Sequence, residues 1–335
     1  MRVGLNPYGL TWTLGLQGRG TPRANPEGAG LEGFLAIARE LGAKVVEIFD
    51  PWLQEMSDDA IRRLRDRLAE LDMVPVASAG LDMMGPMEAA FRSARLLDAK
   101  VIRLGLSPVL CGDRAAHPDW PGLLQTITAA LAEWGPRAAD EGRKLGIENH
   151  QDFGSAELVG FCAAQPGVGI TFDMGNTFPV AEAPLDFARA IAPHVVHLHL
   201  KDYRVQLSPE GFRLVRCAIG DGCVPHAEMI RLIHAAGATP DAVLEPAALE
   251  ARHVRLLTPG WWRGYPAKDA RGLAACLAAA QVNRLHEDDD VLTPWERGED
   301  AALGAYEMAM IRRSAENMRT AGIWDERAIT RDSVG

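Results

Sequence analysis

Four apolar runs between residues 145 and 245 each end in a side chain able to donate electrons. Gly146-Ile147 leads to Glu148, followed by Asn149-His150, and Thr171-Phe172 leads to Asp173, followed by Met174-Gly175-Asn176. His197-Leu198 leads to His199, followed by Leu200-Lys201-Asp202, and Val243-Leu244 leads to Glu245-Pro246. Glu148, Asp173 and His199 stand 25 and 26 residues apart, the length of one strand-helix unit, and Glu245 follows 46 residues later. The last interval holds a unit plus a long loop. Side chains alternate faces along a strand, so Glu148 shares a face with His150, and His199 with His197 and Lys201. If the four donors point the same way, three carboxylates and one imidazole converge. Bare, that much negative charge repels itself. One divalent cation resolves the conflict. Three oxygens and a nitrogen suit Mn²⁺ best, with Mg²⁺ or Co²⁺ as alternatives to the thiolate-seeking metals.

Such a centre chelates a carbonyl oxygen together with an adjacent hydroxyl. Chelation acidifies the neighbouring C–H and stabilises the enediolate that forms. A glutamate within hydrogen-bond reach takes the proton and returns it. Return to the next carbon makes an isomerase, and return to the opposite face makes an epimerase. Breaking C–C in place of C–H makes a lyase. Around the four donors, His150 is a candidate base or substrate contact nearer the barrel mouth, and Lys201 a clamp for a substrate oxygen. Lys201 has the alternative of an ion pair with Glu148 or Glu245. Glu47, ending an earlier run, is an inward carboxylate that contacts substrate or pairs with a cation. Arg103 is a candidate partner for a strand-end carboxylate, and His197, one alternation deeper than His199, supports it from behind.

The elements that must position these groups alternate along the first two-thirds of the chain. Strands are expected at Val3 to Asn6, Val45 to Phe49, Val74 to Ser78, Val101 to Leu106, Leu145 to His150, Val168 to Asp173, Val195 to Lys201 and Ala242 to Glu245. Helical periodicity fills the gaps, at Leu31 to Leu41, Asp58 to Leu71, Pro86 to Leu97, Leu123 to Glu141, Ala156 to Ala164, Asp186 to Ile191 and His226 to Ala236. Eight alternations over roughly 250 residues predict an α/β fold, a (β/α)8 TIM barrel, with catalytic groups where the strands end. An open doubly wound sheet is less consistent, because no Gly-x-Gly-x-x-Gly follows the first strand. The expected division is a barrel over residues 1–250 and a helical C-terminal extension over 251–335. In the extension, Asp269 to Leu285 is Ala-rich and helical, and His286 to Asp290 is an acidic solvated turn. Thr293-Pro294-Trp295-Glu296 has the form of a capping box. Behind it Leu303, Tyr306, Met310, Ser314 and Met318 recur at helical steps before Gly322. That stripe must be covered, by its own barrel or by a neighbouring subunit; the neighbour is the expected cover, and with it a homo-oligomer. Gly220-Asp221-Gly222 reads as a turn near the mouth, and Trp261-Trp262 and Trp295 as packing residues.

The chain has 335 residues, 35 Lys plus Arg against 45 Asp plus Glu, and a net charge of −10. That sign argues against nucleic acid as a partner, since phosphate binding needs clustered positive charge. A hydrophobic share of 47% with 24% charged residues is that of a globular chain. The start carries no signal-peptide pattern, and no run reaches the ~18 apolar residues of a membrane span. Five scattered cysteines without C-x-x-C spacing read as reduced thiols, so a cytoplasmic location is expected.

The segments "IENH", "TFDMGN", "HLHLKD", "IGDG" and "LEP" resemble the xylose-isomerase-like TIM-barrel superfamily of sugar isomerases and epimerases, over roughly residues 3 to 250. The resemblance implies a mononuclear metal site ligated by Glu148, Asp173, His199 and Glu245, and a carbohydrate substrate. It also implies that Glu148 and Glu245 move the substrate proton. The keto-sugar epimerases of the family carry a substrate-binding His after the strand-six Asp and an Arg six residues beyond the strand-seven His. Those places hold Gly175-Asn176 and Val205 here, with Arg204 one position short, so Asn176 and Arg204 stand as the corresponding substrate contacts. The tail segments "WWRGYP" and "TPWERG" are similar to those of a lyase branch that decarboxylates 3-oxo-isoapionate. The Glu148-x-His150 pair resembles C-glycoside deglycosidases, which work with a small partner subunit. A catalytically inactive barrel acting as an interaction protein is the non-enzymatic alternative.

Overall fold

The computed structural model describes residues 1–81, 87–246 and 250–324. Among them the apolar runs form strands Val3–Leu5 (β1), Val45–Ile48 (β2), Val74–Gly80 (β3), Val101–Gly105 (β4), Lys144–Glu148 (β5), Val168–Asp173 (β6) and Val195–Leu200 (β7). Tyr203–Ser208 (β8), Gly211–Arg216 (β9), Asp241–Leu244 (β10) and Arg252–Val254 (β11) follow. Eight strands pair in parallel and close on themselves in the order β1-β10-β7-β6-β5-β4-β3-β2. This is the expected (β/α)8 barrel. Its strands are buried on both faces, one against the barrel interior and one under the helices, which is why they read as mostly apolar runs closed by polar residues. Helices Gly30–Glu40, Asp58–Glu70, Met87–Leu97, Trp120–Asp140, Ser155–Ala164, Pro184–Ile191 and His226–Ala235 alternate with the strands. Pro86, the expected start of the third of these, lies outside the described residues. Asp58–Glu70 shows the local logic. Ser57 caps it by accepting from Ala60 N–H, Asp58 and Asp59 sit in the positive first turn, and Ile61, Leu64 and Leu68 face the barrel. No helix among the described residues is long and apolar enough to cross a membrane.

The interval read as a long loop between the last two barrel strands is a correction. It folds as an antiparallel hairpin, β8–β9, to which β11 adds on the far side of β9. Tyr203, Val205, Phe212, Leu214 and Val254 are buried on one face of this small sheet. Gly211 lets β11 approach: its φ is +150°, and a Cβ there would stand 2.1 Å from the Val254 carbonyl oxygen. The turn at Gly220-Asp221-Gly222 is built around Asp202, whose carboxylate accepts from the N–H groups of Tyr203, Gly220, Gly222 and Val224 at 2.9–3.0 Å.

The tail follows its expected caps, with Thr293 Oγ1 accepting from Glu296 N–H and Glu296 Oε2 accepting from Thr293 N–H. In the final helix, Asp300–Thr320, the side chains of Leu303, Met310, Ile311, Ser314, Ala315 and Met318 are buried within this one chain. The expected cover by a second subunit is therefore corrected: the helix lies on the turn Pro7–Leu10 and on β10 of its own barrel. Glu307, fully buried, accepts from Trp12 N–H and Thr13 N–H at 2.8 Å and from the hydroxyls of Thr11 and Thr13. Farther up the tail, Trp261 Nε1 and the Tyr265 hydroxyl donate to the carbonyls of Cys111 and Gly112, both at 2.9 Å. Gly112 has φ +65°, and a Cβ there would lie 2.0 Å from the Pro179 oxygen. The tail thus straps the loops that follow β4 and β6. Residues 325–335 of the expected extension lie outside the described residues.

Candidate metal centre and active site

Strand register brings the donors together. Asp173 on β6 is level with His199 on β7, after a register shift between Ile170 and Thr171. His199 is level with Val243 on β10, and Glu245 follows two residues later. Glu148 closes β5, level with Thr171. One donor atom from each of Glu148, Asp173, His199 and Glu245 lies within 4.8 Å of the others, and all four residues are buried. His199 Nδ1 stands 3.1 Å from Glu148 Oε1 and 2.8 Å from Glu245 Oε2. Its Nε2 stands 2.8 Å from Glu47 Oε2. Glu47 therefore contacts the far side of the imidazole, and His197 Nε2 lies 3.6 Å from the same oxygen. A smaller donor group, Glu47, His197 and His199, shares that imidazole.

Cations face the carboxylates. Arg103 pairs with Glu148, while Lys201 Nζ bridges Asp173 Oδ2 at 2.5 Å and Glu245 Oε1 at 2.7 Å. Asn176 Nδ2 donates to Asp173 Oδ2 at 2.7 Å, and Gly175 N–H donates to Oδ1. Asn149 clamps the Asp173 backbone through both its N–H and its carbonyl. Arg204 does not join the cluster; it sits on the opposite face of β8 from Tyr203 and Val205, its Nε directed at the Asn283 carbonyl.

Burial alone would raise the Glu148 and Glu245 carboxyls. Arg103 and His199 outweigh it at Glu148, and Lys201 and His199 at Glu245, so both are held well below the usual range. Glu47 is likewise brought down, against burial, to about 2 by His199, His197 and Arg103. Asp173 goes the other way, to about 6, because burial and the neighbouring glutamates exceed the pull of Lys201. Burial opposes the charge on His199, yet Glu47, Glu245 and Glu148 raise it well above its ordinary value. His150 is pushed down by burial to about 4, so it is a neutral imidazole near pH 7.

These residues fit a divalent cation. With the His199 imidazole neutral, as a metal ligand must be, Glu47, Glu148, Asp173 and Glu245 set against Arg103 and Lys201 would leave two negative charges in the buried cluster, the charge that one divalent ion neutralises. Without an ion, the proton held on His199 offsets part of it. With its remaining proton on Nε2 toward Glu47, a neutral His199 would turn the Nδ1 lone pair toward the two glutamates, the carboxylate–histidine support common behind metal ligands. Sequence reasoning missed Tyr8. It follows β1 on the turn Pro7–Leu10, and burial raises its phenol to about 12 within the fields of Arg103, Glu47, Glu245 and Glu148. The signal was present in Asn6-Pro7, whose Asn6 side chain accepts from Tyr8 N–H and turns the chain across the strand end.

Comparison with known proteins places this geometry among relatives. The family described as xylose isomerase-like TIM barrel matches residues 35–259. A 3-oxo-isoapionate decarboxylase of Pectobacterium atrosepticum is 25% identical over 232 residues, 68% of this chain and 78% of that protein. Among solved structures, a xylose isomerase-like TIM barrel protein from Mycobacterium smegmatis in complex with magnesium superposes with a TM-score of 0.55 at 20% identity. It covers 83% of this chain and 97% of its own. D-psicose 3-epimerase from Clostridium cellulolyticum H10, solved with D-tagatose, gives 0.56 at 16% identity, covering 85% of this chain and all of its own. At those identities the two structures speak to the fold.

Proposed function

The chain belongs to the family of xylose isomerase-like TIM barrels, and from that premise we propose that it is a divalent-metal-dependent enzyme that moves a proton beside the carbonyl of a keto-sugar or sugar acid. The observation that carries this reading is the convergence of Glu148, Asp173, His199 and Glu245, with both glutamates within 3.1 Å of one imidazole nitrogen. These four residues would hold a divalent ion, Mn²⁺ being the best match to their donors, which would supply Lewis acidity toward a carbonyl and its neighbouring hydroxyl. Glu47 holds the imidazole in one tautomer and orientation. Glu148 and Glu245, kept ionised by Arg103 and Lys201, take the proton from carbon and return it. Lys201 and Arg103 supply positive charge where a substrate oxygen becomes negative. His150, neutral near pH 7, is the alternative proton carrier, and Asn176 keeps Asp173 aligned.

A second reading is decarboxylation of a 3-oxo sugar acid on the same centre, and the Pectobacterium relative favours it. The complete donor set weighs against an inactive barrel. The test is proton NMR in D₂O with keto-sugars and 3-oxo sugar acids, on protein loaded with Mn²⁺, Co²⁺ or Mg²⁺. Solvent deuterium at the carbon beside the carbonyl, abolished by EDTA and restored by Mn²⁺, is the expected result. Metal-dependent release of CO₂ marks the second reading. Neither exchange nor CO₂ from fully loaded protein overturns both.

A further inference from the structure

Asn6 follows β1 as Glu245 follows β10. Its φ of −108° and ψ of 136° keep it extended, and its N–H donates to the Leu244 carbonyl, so the alternation of the strand runs on through it. Leu5 is level with Leu244 on one side and with Val46 on the other, which sets Asn6 between Glu245 and Glu47. Its side chain points into the barrel. Gly4, two residues earlier, pairs with Val243, and Val243 pairs with His199. Paired residues and those two apart share a face. Val3 and Leu5, on the other face, pack in the core under the helices, whereas Val45, Val76 and Val243 form a separate cluster inside the barrel.

The Asn6 amide is engaged at one end only. Oδ1 accepts from Tyr8 N–H at 2.7 Å and caps the turn Pro7–Leu10. That bond fixes which way the group faces, because exchanging its two atoms would set an NH₂ against a backbone N–H. Asn6 is fully buried, and its Nδ2 has no hydrogen-bond partner among the described residues. A buried N–H left unpaired is costly. The flanking carboxylates do not take it up. Glu245 is engaged with Lys201 and His199, and Glu47 Oε2 with His199. Glu47 Oε1 is itself buried and without a partner among the described residues. Neighbouring strands thus bring an unused donor and an unused acceptor to one level beside the metal centre. A hydroxyl satisfies both kinds of group, since it accepts through oxygen and donates its proton. Tyr8 and His150 retain solvent contact at the mouth, the side from which a ligand enters.

We propose that Asn6 Nδ2, with Glu47 Oε1 beside it, binds a hydroxyl of the sugar and holds the reacting carbon in front of Glu245. A carbonyl compound without that hydroxyl leaves both atoms unpaired, so the pair selects polyhydroxylated substrates over simple ketones and 2-oxo acids. The inference deepens the reading of the barrel mouth as the active site and rests on it.

The probes are D-fructose and its singly deoxygenated analogues. Binding to the Mn²⁺-loaded full chain is read from proton NMR line broadening, which also reports proximity to the metal. In wild type, removing one of the hydroxyls should weaken binding about tenfold through the lost contact with Asn6. In Asn6→Ala that loss should vanish, while losses at other hydroxyls persist. Asn6→Asp keeps the oxygen that caps the turn but lacks the N–H, so it should lose the same coupling; a merely structural role predicts that it keeps it. Deoxygenation losses equal in all three proteins leave the place to a water and overturn the contact. So does a wild type that binds every analogue as tightly as D-fructose, or none of the probes. Coupling of one hydroxyl to Asn6, without deuterium exchange or CO₂ release on any substrate, sinks the enzymatic reading and leaves the contact standing. Exchange on a keto-sugar by Asn6→Ala with the kcat and KM of wild type does the reverse.

Discussion

At Glu148 and Glu245, holding a metal and carrying a proton are separable. Gln in place of either keeps a neutral oxygen donor but loses the base, so turnover should fall by about 10²- to 10⁴-fold while Mn²⁺ content falls less. Asp173→Ala and His199→Ala each remove one of four protein donors and should empty the site. Metal analysis beside the rate separates the two outcomes, and normal turnover in both Gln variants would shift the proton to His150. Asp152 gives a second prediction. Its carboxyl is buried, pushed up from 3.8 to about 7, and accepts from the Ser107 hydroxyl at 2.6 Å and from Phe153 N–H. A raised acid binds its proton more tightly in the folded chain. Its contribution is whole below 3.8 and is lost as pH rises through about 7. Wild type should therefore lose stability between about pH 4 and about pH 7 relative to Asp152→Asn, by on the order of 4 kcal/mol. Parallel denaturation curves for the two proteins would refute this. The four donors were legible because each closes an apolar run. The place of Arg204 was not, because the face a strand residue takes is unknown until its partner strand is, and the hairpin turns Arg204 toward the Asn283 carbonyl.

At the level of elements, the eight barrel strands were legible to within a residue or two, since a strand buried on both sides reads as a short, mostly apolar run between helical stretches. The hairpin escaped because Arg204, Gln206, Arg213 and Val215 alternate with its buried residues on a half-exposed sheet. β11, at three residues, is too short to show any period. The final helix was legible as a helix but not in its destination. A stripe of Leu303, Met310 and Met318 says that something covers it; only Glu307, reaching the turn after β1, says what. Glu307→Ala should leave the Trp12 and Thr13 N–H groups without their acceptor and cost about 3 kcal/mol, with Glu307→Gln losing less. Urea midpoints of the three proteins decide it. An unchanged midpoint for Glu307→Ala would show that water replaces the carboxylate at no cost.

For the whole molecule, burial of the final helix in its own chain removes the motive for a subunit contact at that face. Ending the chain after residue 250 should then uncover apolar barrel surface and leave β9 without β11, giving aggregated protein. A soluble truncated monomer in sedimentation would contradict the strapped architecture. The strap also orders events in time. A ribosome releases the eight barrel strands well before Trp261, Tyr265 and Glu307 emerge, so a nascent barrel can assemble while its mouth is still unfinished. The candidate donors, Glu148 to Glu245, precede in the chain the ties at Trp261 and Tyr265 that pin the loops around them. Chains stalled or clipped before residue 260 would hold all four donors yet lack Trp261 and Tyr265. A growing chain that has passed Glu245 but not yet reached Trp261 thus carries every candidate donor before the ties that strap the surrounding loops exist.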